Sequence, residues 1–450
     1  MVVEKARKIF DDGFVIGLVF ALFLASKIVP FLVLVGVLPI FLFWRSTDFR
    51  RAAAAKYHLF APVATYFVYC IALLYLYPGL DRSEVPPRNP GIELYAVAIA
   101  LFALGFLRSL QIENLLARFQ LIAPPSLFVA FSVLSAYMAL GIDGCRVKVA
   151  APWPFIPALI FTTLTLLLFV GWERKTRTQR YIRLLLVSLS VVVVLAYTGS
   201  RGVAVGQFAV LGGFVILRCV PSFRKGLPTI IETLGALALG IILSGLVGAG
   251  SGCANFDRWQ AISGISADHQ QTSTFGETAP VISASPSTGE PKQSGVSGLA
   301  NDVLGDSSDP QFSKDDAISI RLNMWIVSLD AIRQAPLFGH GALSLKTIIQ
   351  DRFGFEHNHN QYLAWLVTGG VFSLAIGSLF MCIPALISKG LLPVDRVIMT
   401  LAVTGLWGGA MMFDAFLSLK FYLHYYCLLL GFLFALVQSA TRTETYGKPL

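Results

Sequence analysis

The sequence predicts an all-α protein whose helices cross a membrane many times. Of its 450 residues, 55% are hydrophobic and 14% are charged, whereas soluble domains contain about 25% charged residues. Apolar runs such as FVIGLVFALFLA, LIFTTLTLLLFVGW and LLLVSLSVVVVLAY approach the ~20 residues that cross a bilayer as a helix. Because backbone polar groups in hydrocarbon must be satisfied within the segment, we expect these spans to be helical.

The candidate spans number about twelve and fall into two groups. Residues 1–249 contain about nine spans and residues 361–440 about three, with a long loop over residues 250–360 between them. The spans lie near residues 13–27, 28–44, 58–78, 92–108, 120–141, 153–171, 182–198, 203–220, 228–249, 361–388, 396–414 and 421–439.

The distribution of basic residues predicts the orientation of these spans. With the N-terminus in the cytoplasm, the inner loops and both termini hold 21 of the 35 Lys and Arg residues. This bias follows the positive-inside rule, so both termini are expected in the cytoplasm and the long loop outside it. In a bacterium, the loop then faces the periplasm from the inner membrane. The net charge of +9 reflects this topology and does not indicate a nucleic-acid partner.

Two further features bear on function class and redox state. Charges are almost absent inside the predicted spans; Glu232 lies near an inner end and His424 near an outer end. Secondary transporters usually keep such residues at the bilayer midplane, so this placement weighs against a transporter. Of the six cysteines, Cys145 and Cys253 fall on the outer side, where a disulfide can form; a bridge and two unpaired thiols both remain open.

The long loop changes character along its length. Residues 262–314 are rich in Ser, Gly, Thr, Pro and Asp, which predicts a mobile segment because little apolar area is available for burial. Residues 315–334 then read as a helix that starts at a pair of aspartates and stops before Pro336. One face of that helix carries Arg321, Trp325, Ser328 and Ile332. Spacing alone favours an interfacial anchor, with the arginine snorkelling beside the tryptophan.

The stretch HNHNQYLAW, residues 357–365, has three competing interpretations. Asn358 or Asn360 is a plausible N-cap for a helix that Gly369-Gly370 would kink or break. A metal site is the weakest interpretation, because helical metal-binding pairs usually sit at i, i+4 and no acidic cluster lies nearby in the sequence. The third is a catalytic or substrate-binding histidine. His359 near a helix start is expected to be a neutral imidazole, as general-base work requires.

The segment AYTGSRGVAVGQ, residues 196–207, forms a tight outer turn in this topology. Arg201 in that turn is either an ordinary snorkelling arginine or a ligand for lipid-borne phosphate, which a guanidinium binds bidentately. Arg201, Arg321 and His359 all fall on one side of the membrane. Such a set suits group transfer from a lipid phosphate, with arginines stabilising the leaving group and the histidine accepting a proton.

The sequence combines many spans, an SRG turn, and a loop with RLNMW, PLFGHG and HNHNQYL before a glycine pair. This combination closely resembles the O-antigen ligase and O-antigen polymerase superfamily of bacterial inner-membrane glycosyltransferases. The specific motifs cover mainly residues 198–207 and 315–377. The resemblance implies a GT-C-like enzyme that takes its glycan from undecaprenyl pyrophosphate and uses no metal or other cofactor. It implies Arg201 and Arg321 as pyrophosphate ligands and His359 as the catalytic residue. The secondary candidates are His357, His340, Arg352, Lys346 and Trp325.

Three functions remain open at this point. The favoured one is a ligase that transfers the glycan to a lipid A–core oligosaccharide. The nearest alternative is an O-antigen or exopolysaccharide polymerase of the same superfamily, which needs the same donor and another glycan as acceptor. A polysaccharide or lipid transporter without chemistry is the alternative of a different class, and for it a general base would be dispensable.

Overall fold

The computed structural model describes residues 11–17, 57–77, 90–110, 112, 114–142, 146–147, 155–251, 317–355, 357–418 and 420–446. Every regular element in these residues is a helix, and no strand occurs among them. The prediction of an all-α fold is therefore confirmed for the described part of the chain. Cys145, Cys253 and the segment 262–314 lie outside it, so the disulfide hypothesis and the three-part division of the chain stay predictions.

The helices are numbered here in chain order. Before the long loop come α1 (Tyr57–Leu76), α2 (Pro90–Leu110), α3 (Leu115–Ala139), α4 (Phe155–Leu167), α5 (Arg177–Val192), α6 (Arg201–Arg218) and α7 (Ile230–Ser251). After it come α8 (Ala317–Gln334), α9 (Ser344–Phe353), α10 (Gln361–Met381), α11 (Ile383–Ile387), α12 (Pro393–Thr400), α13 (Leu406–Met411) and α14 (Lys420–Tyr446). One π-helical turn, Val193–Tyr197, extends α5, and another, Leu401–Gly405, joins α12 to α13.

Five helices of the described part are long and apolar enough to cross a membrane. They are α3, α5 with its π turn, α6, residues Ile230–Ala249 of α7, and α10. Shorter apolar segments, Ala61–Leu76, Tyr95–Phe106, Phe155–Leu167 and Tyr422–Gln438, lie at four other predicted spans. The predicted pair before residue 44 lies outside the described residues apart from 13–17. The count of about twelve spans and the GT-C-like architecture stay predictions.

Glycines allow the closest helix contact in the main core, between α2 and α14. A Cβ atom added to Gly105 would overlap the carbonyl of Leu428, and one added to Gly431 would overlap the carbonyl of Phe102. Small residues at such positions let helix backbones approach closely. The resulting van der Waals packing stabilises helix association in lipid, where the hydrophobic effect does not drive it. The same core includes α3 to α6 and α13.

A second, smaller core joins the helices of the long loop to α10. It buries Met324 and Ala331 of α8, Leu345 and Ile349 of α9, and Ala364 and Val367 of α10. The loop helices therefore pack on the first half of α10 through apolar side chains. This core fixes where α8 and α9 lie relative to the residues that precede α10.

The helix α10 is broken in its middle, as the glycine pair predicts. Gly369 and Gly370 have non-helical dihedral angles, and φ of Gly370 is +64°. The Trp365 ring lies against Gly377, where a Cβ atom would overlap it. Twelve residues of straight helix would rise about 18 Å, so this contact shows that the two halves are sharply inclined to each other.

Candidate active site

Asn360 caps the N-terminus of α10 and fixes the chain direction at the HNHN stretch. Its side-chain oxygen accepts hydrogen bonds from Tyr362 N at 3.0 Å and Leu363 N at 3.1 Å, which satisfies two amides that the helix leaves unpaired. His359 directly precedes this cap, one step before the first turn, and has φ of +53°. For a residue other than glycine this left-handed conformation costs about 1–2 kcal/mol, a cost typical of positions held for function.

The same local turn brings both histidines to one buried carboxylate, Asp414. His357 Nε2 lies 3.3 Å from Asp414 Oδ1, and His359 Nδ1 lies 3.4 Å from the same oxygen. The two imidazole rings are 4.5 Å apart, and the Phe355 ring stands edge-on to His359 at 5.6 Å. Oδ1 also accepts a hydrogen bond from Ala415 N at 2.9 Å. Asp414 Oδ1 thus contacts both imidazole rings and the Ala415 amide.

The electrostatics of this cluster favour an ionised Asp414. Burial alone would raise the pKa of Asp414, but the ring nitrogens of His357 and His359, 3.3 and 3.4 Å from Oδ1, favour the charged form and hold the pKa below its usual range. A carboxylate beside Nδ1 of His359 favours the tautomer with its proton on Nδ1. The other ring nitrogen, Nε2, is then the basic one, as general-base catalysis requires.

Asp414 sits in the turn between α13 and α14, where the start of α6 also packs. A Cβ atom on Gly202 would be 2.9 Å from Ala410 O and 3.1 Å from Phe413 Cβ. Because Gly202 follows Arg201 and Phe413 precedes Asp414, this contact brings the backbone of Arg201 to the turn that holds the carboxylate. Arg201 itself is the first residue of α6 and is half-buried.

Hydrogen bonds hold the start of α10 to the same region. Gln361 Nε2 donates to Ser418 Oγ at 3.1 Å, and Ser418 N donates to Gln361 Oε1 at 3.2 Å. The Tyr362 hydroxyl donates to the carbonyl of Gly408 at 2.9 Å. These bonds place the HNHN stretch against α13 and the turn that follows it, so His359 and Asp414 are held from both sides.

The loop helix α8 docks on the HNHN stretch through polar contacts. Trp325 Nε1 donates to the carbonyl of Asn358 at 2.9 Å, and Asn358 Nδ2 donates to Ser328 Oγ at 2.9 Å. Asn358 and Ser328 are fully buried. The face predicted from the spacing of Arg321, Trp325 and Ser328 is therefore the docked face, and Arg321 lies half-buried one turn before Trp325.

The motif PLFGHG, residues 336–341, forms backbone hydrogen bonds with α10 on both sides of its glycine break. His340 N and Gly341 N donate to the carbonyls of Val367 and Thr368, both at 2.8 Å, and Val371 N donates to the carbonyl of Pro336 at 2.9 Å. These bonds pair backbone groups that the glycine break leaves open on both sides. A Cβ atom on Gly339 would be 2.6 Å from Gly369 N, so two backbones cross here in direct contact.

Comparison with known proteins decides the family. A family model described as O-antigen ligase matches residues 185–377. This match supports assigning that segment to the O-antigen ligase superfamily. Curated proteins give no match to the chain.

The family assignment fixes the class of the protein in general terms. Members of the O-antigen ligase family are membrane glycosyltransferase-like enzymes, and their partners are lipid-linked glycans and acceptors. With its apolar helices, the chain is an integral membrane protein. The matched segment contains each site residue predicted from the sequence and ends before Asp414.

The predicted site residues of this O-antigen ligase domain fall into two groups. His357, His359 and the docked face of α8 surround the HNHN stretch, and the backbone of Arg201 reaches it through the Asp414 turn. Three secondary candidates lie elsewhere in the loop. His340 Nε2 is 2.7 Å from the carbonyl of Ala331, which makes it a tether for α8, while Lys346 and Arg352 are exposed on α9.

Asp414 is the candidate site residue that the sequence analysis missed. It ends the predicted span 396–414 on the outer side, in the sequence MMFDAF. The sequence signal that could have identified Asp414 is a carboxylate at the outer end of a predicted span, on the same side of the membrane as the two histidines. With Asp414 in place, His357, His359 and Asp414 offer three metal-ligand atoms within 4.8 Å of one another, although Asp414 lies 55 positions after His359 in the sequence.

Proposed function

We propose that the protein is an O-antigen ligase that transfers a glycan from undecaprenyl pyrophosphate to a hydroxyl group of lipid A–core oligosaccharide. The observation that carries this proposal is the contact between Asp414 and His359. His359 lies within the segment that matches the ligase family, and Asp414 lies after it. A non-catalytic carrier has no need for an imidazole whose one nitrogen faces a buried carboxylate and whose other nitrogen is basic. An acceptor hydroxyl, in contrast, must lose a proton during transfer.

In the proposed reaction, the acceptor oxygen attacks the anomeric carbon of the donor glycan. A new carbon–oxygen bond forms to the acceptor, while the bond between the anomeric carbon and the pyrophosphate oxygen breaks. The proton of the acceptor hydroxyl passes to His359 Nε2, and undecaprenyl pyrophosphate leaves with the electron pair. General-base catalysis of this kind contributes typically ~10²–10⁴ in rate.

Arg201 and Arg321 are the proposed ligands of the pyrophosphate. Guanidinium groups stay charged and bind phosphate oxygens bidentately, so they stabilise the negative charge that develops on the leaving group. Arg201 starts α6 beside the Asp414 turn, and Arg321 lies on the docked face of α8. Both elements are fixed to the His359 region by separate contacts, which supports a shared site. The proposed reaction takes place at the periplasmic face and needs no metal.

The proposal is tested by deleting the gene in its host and analysing lipopolysaccharide on gels, with plasmid-borne variants. A ligase deletion leaves bare core with glycan stranded on its carrier lipid, and the wild-type chain restores the ladder. Core capped by a single repeat would indicate a polymerase instead, and an unchanged ladder would indicate another polymer. His359→Ala and Arg201→Ala are expected to abolish ladder formation at normal membrane levels. Full transfer by both variants would refute an enzymatic role and favour a carrier.

A further inference from the structure

The His357–His359–Asp414 cluster matches the ligand spacing of a zinc site. Zinc binds imidazole nitrogen and carboxylate oxygen at about 2.0–2.2 Å in tetrahedral geometry, so its ligand atoms lie roughly 3.3–3.5 Å apart. The two nitrogen-to-oxygen distances are 3.3 and 3.4 Å. All three ligand atoms lie within 4.8 Å of one another, so the third edge, between the two nitrogens, is at most that long.

The chemistry of the three ligands selects the class of metal. Two imidazoles with one carboxylate suit zinc and similar transition metals, whereas magnesium and calcium prefer sets made of oxygen atoms. Three protein ligands also leave a fourth position for water, as in open zinc sites. The side chains of His357, His359 and Asp414 are 18%, 17% and 10% exposed, so the cluster is largely dehydrated yet reachable.

The ligands are held in place before any metal arrives. Asn358 and Asn360, which flank His359, are fixed by hydrogen bonds to Ser328 and to the first turn of α10. Asp414 Oδ1 is oriented by Ala415 N. Among the residues that the structure describes, no hydrogen bond of good geometry reaches the buried His359 Nδ1, so a cation there displaces a weak contact with Asp414 and no strong bond.

We propose that Zn²⁺ binds His357, His359 and Asp414 and thereby inhibits the transferase. This inference rests on the proposed function, because inhibition follows from what the metal captures. A bound cation takes the Nδ1 lone pair of His359 and the charge of Asp414, so Nε2 then carries the remaining ring proton and accepts none. The centre thus has two exclusive states, a proton-accepting metal-free state and an inactive zinc-bound state.

Metal binding is measured directly on the purified full-length chain in detergent, separately from transfer. After treatment with chelator, equilibrium dialysis against Zn²⁺ is expected to give one tightly held ion per chain, and Co²⁺ to give the visible absorption of a tetrahedral site. His357→Gln and Asp414→Asn are each expected to weaken binding at least 10-fold, because loss of a supporting group alone costs ~10–100-fold. Asp330→Asn, a change in a partly exposed carboxylate paired with Arg333, is the control and should bind as wild type.

Transfer is then measured with and without zinc. Wild-type transfer should be full in chelator, fall at least 10-fold with one equivalent of bound Zn²⁺, and recover when chelator is added again. Absence of stoichiometric zinc, or equal binding by both cluster variants and wild type, would overturn the inference. Loss of transfer in chelator would also overturn it, since the metal would then be an activator. If the metal-free wild type transfers no glycan in the presence of donor and acceptor, the proposed function fails whatever zinc does.

Discussion

Replacing Asp414 with asparagine tests whether the carboxylate acts through His359. The substitution keeps the size of the side chain but removes the charge, and its amide group can donate to Nδ1 of His359. The proton then moves to Nε2, which can no longer accept one from the acceptor hydroxyl. The expected loss is therefore the general-base contribution, ~10²–10⁴ in rate or about 3–5 kcal/mol of barrier.

The assay is transfer by the purified chain in proteoliposomes with lipid-linked glycan and core oligosaccharide. Donor binding should be nearly unchanged, because the proposed phosphate ligands are arginines, and the loss should appear in kcat. Asp330→Asn makes the same chemical change at a partly exposed carboxylate, 2.9 Å from Arg333 Nη1, and should keep wild-type transfer. An Asp414→Asn enzyme with more than half of the wild-type rate would refute the reasoning, because Asp414 would then not set the basic nitrogen of His359.

Three further predictions concern the supports of the site. Gly370→Ala adds a Cβ at φ of +64° and into the backbone of the PLFGHG motif, whereas Gly354→Ala adds one at φ of +70° with no atom within 4 Å. Strain costs Gly354→Ala about 1–2 kcal/mol and Gly370→Ala about 1–3 kcal/mol, and overlap costs Gly370→Ala about 1–3 kcal/mol more. The thermal unfolding midpoint should therefore fall clearly further for Gly370→Ala than for Gly354→Ala; equal shifts would contradict the backbone crossing. Trp325→Phe removes the 2.9 Å bond to the Asn358 carbonyl at about 1 kcal/mol, and transfer should fall several-fold at unchanged expression; an unchanged rate would show that α8 docks without it. Because the folded pKa of Asp414 is lowered, its stabilisation is present above the unfolded value of about 3.9 and is lost as pH falls further. Wild type should therefore remain more stable than Asp414→Asn at pH 5, and equal midpoints at that pH would contradict the lowered pKa.

Local features of the site were predictable because short-range chemistry determines them. An asparagine cap at residue 358 or 360 and the break at Gly369-Gly370 follow from side-chain reach and from glycine dihedral freedom. The break is confirmed, and the structure selects Asn360 as the cap. The face of α8 with Trp325 and Ser328 follows from helical periodicity alone. The partner of that face was not predicted. Spacing favoured an anchor in lipid headgroups, whereas the indole N–H of Trp325 donates to the carbonyl of Asn358.

Asp414 was not predictable in the same way, because it meets His359 only through tertiary packing. The two residues are 55 positions apart in the sequence, and two predicted spans, 361–388 and 396–414, lie between them. Their contact depends on Gln361 bonding Ser418 and on Tyr362 bonding the Gly408 carbonyl. Neither pairing leaves a periodic signal in the sequence. A metal site was disfavoured from the sequence for the same reason, since the acidic ligand comes from a distant turn.

The geometry also separates the roles of two motifs that stand close together in the sequence. The PLFGHG backbone bonds to both sides of the break in α10 and thereby fixes the end of its first half, while Asn360 fixes the start. That short half-helix also shares a core with α8 and α9. A helix held at both ends and along its side presents His359 in front of it with little freedom. PLFGHG and the glycine pair therefore support the site structurally, and HNHN with Asp414 is the part for which we propose the chemistry.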